Sequence, residues 1–229
     1  MLAERLPGEA ARILDLGGGT GGLAVLLAQH GHLVTVVDPS PDSLAALDRR
    51  AAETGTREQV RGLQGDAGAV ADLIPAGSVD LVLCHSVLEV VDDPVDALRS
   101  ARTALRPDGL LSLVVANRVA AVAARAGAGR LAEARHLIAD PAGRAGPHDP
   151  LARRFTVTGV QAVIADAGLV VLSLHGVRIF TDAVPAAVLD DANAAAQLTA
   201  LESAAAADPA FLPLAARLHA VCAPAVGSR

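Results

Sequence analysis

The stretch Arg12–Gly22, RILDLGGGTGG, decides the fold of this chain. Its apolar first part, Arg12–Leu16, is typical of a buried strand, and a helix-forming segment, Leu23–His30, follows the glycines. Because glycine has no Cβ atom, a glycine turn bends sharply and allows a ligand close to the backbone. The stretch therefore predicts a strand, a ligand-binding loop and a helix in direct succession.

Apolar and helix-forming segments alternate beyond this loop. Runs that are apolar at nearly every position are typical of parallel strands covered by helices on both faces. The sequence therefore predicts a doubly wound α/β sheet. The predicted strands are Leu33–Val37, Val60–Gln64, Val79–His85, Leu110–Ala116, Leu169–Leu174 and Val177–Phe180. The predicted helices are a segment capped by Asp42 or Ser43 and running to about Thr54, then Ala69–Ile74, Val95–Leu105, Thr158–Ala167 and one or two helices within Val184–Leu218, with a turn at Pro107-Asp108-Gly109.

The alternation stops over residues 118–154, which are rich in Ala, Arg and Gly. We expect a helix and then a loop, Asp140–Pro150, forming a small helical cap on one domain that covers residues 1–229. Residues 117–154 hold seven Arg and three acidic residues, a local charge of +4 in a chain of net charge −6. This charge suits an RNA backbone, but a solvated helix face carries the same pattern, so both interpretations stay open.

The composition excludes several classes of enzyme. The chain has no Lys and no Tyr, so it lacks a Schiff-base lysine, a P-loop lysine and the Tyr-Lys pair of short-chain dehydrogenases. Its two cysteines, Cys84 and Cys222, have no metal-ligand spacing. The N-terminus has no signal-peptide pattern, and the apolar run Leu110–Ala124 is interrupted too soon for a membrane span. We therefore expect a cytoplasmic protein with neither a metal nor a membrane partner.

The glycine loop alone admits two cofactors. Its spacing also fits the dinucleotide fingerprint, and Asp38, about twenty residues on, is placed to accept hydrogen bonds from a ribose in either case. Three features favour S-adenosylmethionine. Asp15 precedes Gly17, Gly19 and Gly21 in the D-x-G-x-G-x-G order of class I methyltransferases, the third strand ends in Gly65-Asp66, and no hydride-transfer residues follow. A tight turn without a ligand is the remaining structural explanation.

Further motifs resemble the bacterial tRNA 5-carboxymethoxyuridine methyltransferase (CmoM) family. They are Gly31-His32-Leu33-Val34, the segment from Asp80 to Pro94 with His85-Ser86-Val87-Leu88-Glu89, the run Leu105–Leu113, and Gly176–Asp182. The resemblance implies a seven-stranded, mostly parallel class I (Rossmann-like) sheet that binds S-adenosylmethionine. It places Gly17 and Gly18 along the cofactor, Asp38 at its ribose, Asp66 and Ala67 at its adenine, and His85 near its methionine end. The family methylates a carboxylate of a modified wobble uridine in tRNA.

The acceptor side of the site is less defined. A carboxylate is ionised at neutral pH and needs no general base, so a cation suffices to orient it. Arg178 is the candidate cation, although it also fits an edge-strand arginine. Asn117 is a candidate substrate contact or a helix cap. His85 fits a cofactor contact, a proton acceptor or a structural histidine, so no catalytic residue is assigned. Three functions remain open: methylation of tRNA, methylation of a small metabolite, and non-catalytic binding of S-adenosylmethionine.

Overall fold

The computed structural model describes residues 10–225, which fall into two compact units. The first contains the chain up to Leu113, Val163–Leu172 and the chain from Val221, and the second contains Val114–Ala162 and Ser173–Ala220. Residues 1–9 lie outside the described residues, and with them most of the N-terminal segment in which we find no signal-peptide pattern.

Seven strands form one sheet in the order β3-β2-β1-β4-β5-β7-β6, which confirms the predicted seven-stranded, mostly parallel α/β fold. The strands are β1 (Arg12–Leu16), β2 (Leu33–Asp38), β3 (Val60–Gln64), β4 (Val79–His85), β5 (Leu105–Ala116), β6 (Leu169–Val177) and β7 (Arg217–Pro224). The helices are α1 (Gly22–Gln29), α2 (Pro41–Glu53), α3 (Val70–Leu73), α4 (Pro94–Ala104), α5 (Arg118–Gly127), α6 (Leu131–Ala139), α7 (Val157–Asp166), α8 (Ala186–Leu189) and α9 (Ala192–Ala205).

The strand order reverses at β1. This strand pairs in parallel with β2 on one side and with β4 on the other, and Ile13 lies opposite Val34 and Leu81. In an open parallel sheet, ligands bind beyond the carboxyl ends of the strands at such a reversal. The glycine loop leaves the carboxyl end of β1, so the topology places it where a ligand is expected.

Small aliphatic side chains fill the core of the first unit. Ile13, Val34 and Leu81 are nearly inaccessible on the sheet, and Val25 of α1 and Leu47 of α2 pack in the same cluster. This agrees with a sequence in which only three residues are aromatic and Ala, Val and Leu must provide the apolar volume. The glycine loop therefore stands on closely packed strands and helices.

Four predicted boundaries in the first part of the chain and the cap are wrong. The cap of α2 is Ser40, whose Oγ accepts from the Ser43 amide at 3.2 Å, because Pro41 already occupies the first helical turn. The segment predicted to be a turn at 107–109 belongs to β5, which starts at Leu105, and Arg106 pairs there with Asp80 of β4. The third helix is divided into a 3-10 turn over Ala67–Ala69 and α3. The cap segment forms two helices, because Gly129, at φ 74°, ends the first.

The last part of the chain differs more from the prediction. One strand, β6, replaces the two predicted strands, and it ends at Val177 because Arg178 takes a left-handed backbone at φ 57°. Residues 217–224, partly predicted as helix, form β7. In the second unit, Ile179, Ala205 and Ala215 form a small core beside Phe180 and Phe211, whose rings meet edge to face at 5.9 Å.

Candidate functional site

Left-handed glycines shape the loop after β1. Gly17, Gly19 and Gly21 have φ of 66°, 57° and 74°, a region that favours glycine, and the Gly17 amide donates to the Val37 carbonyl at 2.7 Å. A Cβ atom at Gly17 would lie 2.5 Å from Cγ2 of Val87, whereas one at Gly19 would meet nothing within 4 Å. The loop is therefore packed tightly underneath and open on its outer side.

Asp38, at the carboxyl end of β2, is held against this loop. Its Oδ2 accepts from the Gly19 amide at 3.0 Å, and its Oδ1 accepts from the Ser40 amide at 2.9 Å. The residue is only 8% exposed. Because each carboxylate oxygen accepts more than one hydrogen bond, both keep capacity for ribose hydroxyls.

Asp15 is a buried carboxyl group beneath the glycines. It is 4% exposed, and none of residues 10–225 hydrogen-bonds to its side chain. Burial, and then the nearby charge of Asp38, raise the pKa of Asp15 from 3.8 to about 7. A Cβ atom at Gly18 would lie 2.5 Å from its Oδ2, so Gly18 is needed for the loop to pass over the carboxyl group.

The end of β3 continues the site beside β2. The Gly65 amide donates to the Asp38 carbonyl at 3.2 Å, which ties the two strand ends together. Asp66 follows with an exposed side chain that accepts from the Gly68 amide at 3.1 Å, and Ala67 is buried. Asp66 is thus available to a ligand that extends from Asp38 along the sheet edge.

The end of β4 adds a histidine held by a serine. Nε2 of His85 lies 2.9 Å from Oγ of Ser112, and Ser112 is 1% exposed on β5. Ser86 follows with φ 60°, a strained conformation for a residue other than glycine. Our sequence analysis assigns no role in the site to Ser112 or Val87, although a lone serine in an apolar strand is a visible signal for the first.

These residues fit S-adenosylmethionine. The open face at Gly19, the carboxyl group of Asp15 without a partner among residues 10–225, and the two carboxylates at the ends of β2 and β3 lie along adjacent strand ends. An adenosine offers ribose hydroxyls and an exocyclic amine to carboxylates, and a cationic sulfonium suits a site with acidic groups.

The two predicted acceptor-side residues belong to the second unit. Asn117 is buried and caps α5 through the Val119 amide at 3.0 Å, while its Nδ2 donates to three carbonyls, including that of Ala215 at 2.8 Å. Arg178 is half-exposed, and its Nε donates to Oδ1 of Asp182 at 2.9 Å. Its left-handed turn is held by Glu202, whose carboxylate accepts from the amides of the next three residues, each at 2.9 Å. Both remain predictions as substrate contacts.

At least five of the seven arginines in residues 117–154 have partners inside that segment. Nε of Arg118 donates to the Leu137 carbonyl at 2.7 Å, at the C-terminal end of α6. The other pairs are Arg125 and Arg130 with Glu133, Arg144 with Asp140, and Arg154 with Asp149 at 2.5 Å. The local positive charge is therefore largely engaged in holding the segment together.

Other chemistry finds little support in the described part of the chain. Both cysteines are buried, and burial raises the pKa of Cys222 to about 12. Cys84, which is fully buried on β4, is a core residue. Within residues 10–225, no group of three or more His, Cys, Asp and Glu side chains is placed to hold a metal ion, and no helix there is long and apolar enough to cross a membrane.

Comparison with known proteins agrees with this geometry. Residues 14–113 match the model of a methyltransferase domain, which ends where the first unit gives way to the second. The Escherichia coli K12 tRNA 5-carboxymethoxyuridine methyltransferase is 37% identical over 117 residues, covering 51% of this chain and 44% of that protein. The ubiquinone biosynthesis O-methyltransferase of Xanthomonas axonopodis pv. citri is 35% identical over 127 residues, covering 55% and 51%. The chain thus spans about half the length of these relatives.

Solved structures bear on the fold. A SAM-dependent methyltransferase from Methanosarcina mazei superimposes with a TM-score of 0.66 at 14% identity, covering 99% of this chain and 98% of that one. The family match, the sheet order and the loop geometry agree with one another. Residues 14–113 match a methyltransferase domain, the chain has the fold of S-adenosylmethionine-dependent methyltransferases, and about half of it resembles the tRNA 5-carboxymethoxyuridine methyltransferases.

Proposed function

We propose that this chain transfers a methyl group from S-adenosylmethionine to a carboxylate of a modified wobble uridine in tRNA. The observation that carries the proposal is the 37% identity to the Escherichia coli enzyme of that name over 117 residues. The glycine loop and the His85–Glu89 run are among the motifs that resemble that family. The match covers 51% of this chain and 44% of that protein, so the acceptor rests on a partial match.

The chemistry of the site suits an acceptor that is already ionised. Nε2 of His85 lies 2.9 Å from Ser112 Oγ, which favours a fixed wall residue over a mobile base. The cofactor, when bound, supplies a methyl group on a cationic sulfur. The nucleophile attacks this methyl group in line with the bond to sulfur, and the sulfur leaves. The loop and Asp38 hold and orient it. Positioning supplies most of the acceleration in such a reaction, and a carboxylate acceptor needs no proton removed.

Arg178 is the residue that we propose to orient the acceptor carboxylate. Its guanidinium pairs with Asp182, and an incoming carboxylate would take that place. We expect Arg178→Gln to raise KM for the acceptor at least tenfold, with the Kd for S-adenosylmethionine unchanged. Arg99→Gln, which removes another exposed arginine paired with an aspartate, serves as the control. An unchanged KM in Arg178→Gln would remove Arg178 from the acceptor site.

A methyltransferase for a small metabolite is the second candidate. The observation that favours it is the engagement of five arginines inside residues 117–154, which leaves little charge for RNA phosphates. The ubiquinone biosynthesis relative, which acts in making a small molecule, matches at a similar identity.

One experiment separates these functions. The protein is incubated with S-adenosylmethionine labelled in its methyl group. One reaction contains bulk tRNA from a strain that lacks the gene, and its nucleosides are analysed by mass spectrometry. A second reaction contains a cell extract. Label in the methyl ester of a carboxylate-bearing wobble uridine supports the first proposal. Label only in the small-molecule fraction of an extract supports the second. Binding of S-adenosylmethionine by calorimetry without label in any fraction indicates a non-catalytic binding protein.

A further inference from the structure

A cavity of about 290 Å³ lies on the first unit, away from the glycine loop. Arg12 and Leu33, the first residues of β1 and β2, line it together with Arg61 of β3 and the segment that follows α3. We call it the sheet-face pocket. The glycine loop follows the opposite, carboxyl ends of the same strands, so the pocket belongs to a different part of the unit.

The residues that line the pocket include the end of α3, a helix of only four residues, and the three residues that follow or come soon after it, Ile74, Pro75 and Ser78. Leu33 is 43% exposed at this place. Leu63, Leu73 and Ile74 line the same cavity and give it an apolar floor.

Two arginines reach the pocket from one face of the sheet. Arg12 lies opposite Leu33, and Thr35, two residues further on β2, lies opposite Arg61, so strand alternation directs these side chains to the same side. Neither guanidinium has a hydrogen bond or ion pair with any of residues 10–225. The Thr35 hydroxyl is likewise without a partner in that range.

Nearby acidic groups do not satisfy these arginines. Asp80 accepts from the backbone amide of Arg12 at 2.8 Å, but its carboxylate pairs with the guanidinium of Arg106. The ten described residues that line the pocket include no Asp or Glu. Outside residues 117–154 the chain carries a net charge of −10, so two arginines at one cavity without a partner among residues 10–225 differ from the acidic balance of the chain.

We propose that the sheet-face pocket binds a small molecule with one anionic group, a carboxylate or a phosphate, and a short apolar body. Guanidinium groups bind either anion with paired hydrogen bonds, and Thr35 adds a donor. The apolar floor accepts the uncharged part of the ligand. The volume lies at the lower limit of ligand pockets, so the ligand is small. This site is separate from the proposed methyl transfer and does not depend on it.

Calorimetric titration of the full chain with hexyl phosphate, hexanoate and hexanol tests the proposal. We expect one equivalent of at least one of the two anions to bind, and hexanol to bind at least tenfold more weakly. The tighter of the two anions identifies the class of ligand. Saturation with S-adenosylmethionine leaves the affinity unchanged, because the cofactor loop lies elsewhere.

Arginine variants locate the binding. Arg12→Gln and Arg61→Gln each weaken the anion at least tenfold, whereas the control Arg57→Gln, an exposed arginine outside the pocket, leaves it within twofold. Thr35→Val gives a smaller loss and checks the pocket through a different group. No saturable binding of either anion, equal affinity in Arg57→Gln and Arg61→Gln, or competition by S-adenosylmethionine would each overturn the proposal.

Discussion

Gly17 and Gly55 share a left-handed backbone but differ in what surrounds them. Both have positive φ, 66° and 70°. A Cβ atom at Gly17 would press on Val87, whereas one at Gly55 would meet nothing within 4 Å. A comparison of the two positions therefore separates the free-energy cost of the left-handed backbone from the cost of a clash with Val87.

We expect Gly55→Ala to lower the free energy of unfolding by about 1 kcal/mol, and Gly17→Ala by about 2–3 kcal/mol, because the second adds a clash to the strain. Only Gly17→Ala should weaken S-adenosylmethionine, by at least tenfold. Urea unfolding and calorimetry measure the two quantities. Equal losses of cofactor affinity in both variants would show that the loop's close packing on Val87 is unimportant for binding.

Asp15 makes stability depend on pH. Burial, and then Asp38, raise its pKa from 3.8 to about 7, so between those values the folded protein holds a proton that the unfolded chain has lost. The contribution of Asp15 to stability is therefore largest below about pH 4 and falls as pH rises to 7.

Asp15→Asn should flatten this part of the pH profile and raise the free energy of unfolding at pH 8 by as much as ~4 kcal/mol, since each pKa unit corresponds to about 1.4 kcal/mol. Urea denaturation from pH 4 to 8 measures it, with the exposed Asp48→Asn as control. A profile of the same slope in Asp15→Asn and the wild type would assign the proton to another group.

At this scale the sequence predicted the residues of the glycine loop and the two carboxylates, because glycine and acid spacing are local properties. It did not reveal the contact of Val87 under Gly17, nor that of Ser112 with His85, because each joins strands or loops far apart in the chain. Asn117 was predicted as either a helix cap or a substrate contact. The cap could be predicted because it joins Asn117 to an amide only two residues away.

At the scale of elements, Arg118 joins two helices of the cap segment. Its guanidinium donates to backbone carbonyls at the C-terminal end of α6, including those of Ile138 at 2.6 Å and Asp140 at 2.8 Å. These carbonyls have no partner inside their helix. A cation beside them also interacts favourably with the negative end of the helix dipole. Arg135, on the exposed side of α6, has no such bond within residues 10–225.

Arg118→Ala should destabilise the α5–α6 pair by about 2–3 kcal/mol, because it removes several charged hydrogen bonds, whereas Arg135→Ala changes stability by less than about 0.5 kcal/mol. Hydrogen exchange of the amides in α6, read by mass spectrometry, measures the difference. Faster exchange in Arg135→Ala than in Arg118→Ala would contradict the assignment.

Three of the predicted strands, β1, β3 and β4, have the predicted bounds. In β1 and β4 burial on both faces leaves a continuous apolar signal, whereas β3 is only partly buried. The Ala-rich end of the chain misled the prediction. Residues 217–224 mix Arg, His and Pro with apolar residues, and their strand pairing depends on neighbours in space that no local pattern records.

Charge at the scale of the whole molecule bears on the acceptor. Each phosphate neutralised by the protein contributes about −0.7 to −0.9 to the slope of log K against log salt concentration. With at least five of the cap arginines already engaged, we expect tRNA to bind with a slope no steeper than about −1, and Arg135→Gln to remove most of it. Filter binding from low to physiological salt measures both. A much steeper slope would mean that the internal ion pairs open when RNA binds.

The position of β7 in the sheet has a consequence for folding during translation. It is the last of the seven described strands to be synthesised, yet it lies between β5 and β6. Until residues 217–224 emerge, β5 and β6 each expose an unpaired edge. Such an edge can pair incorrectly with a strand of another chain. Translation that stalls before Arg217 would therefore leave a divided sheet rather than a shorter one, and such nascent chains would depend on chaperones.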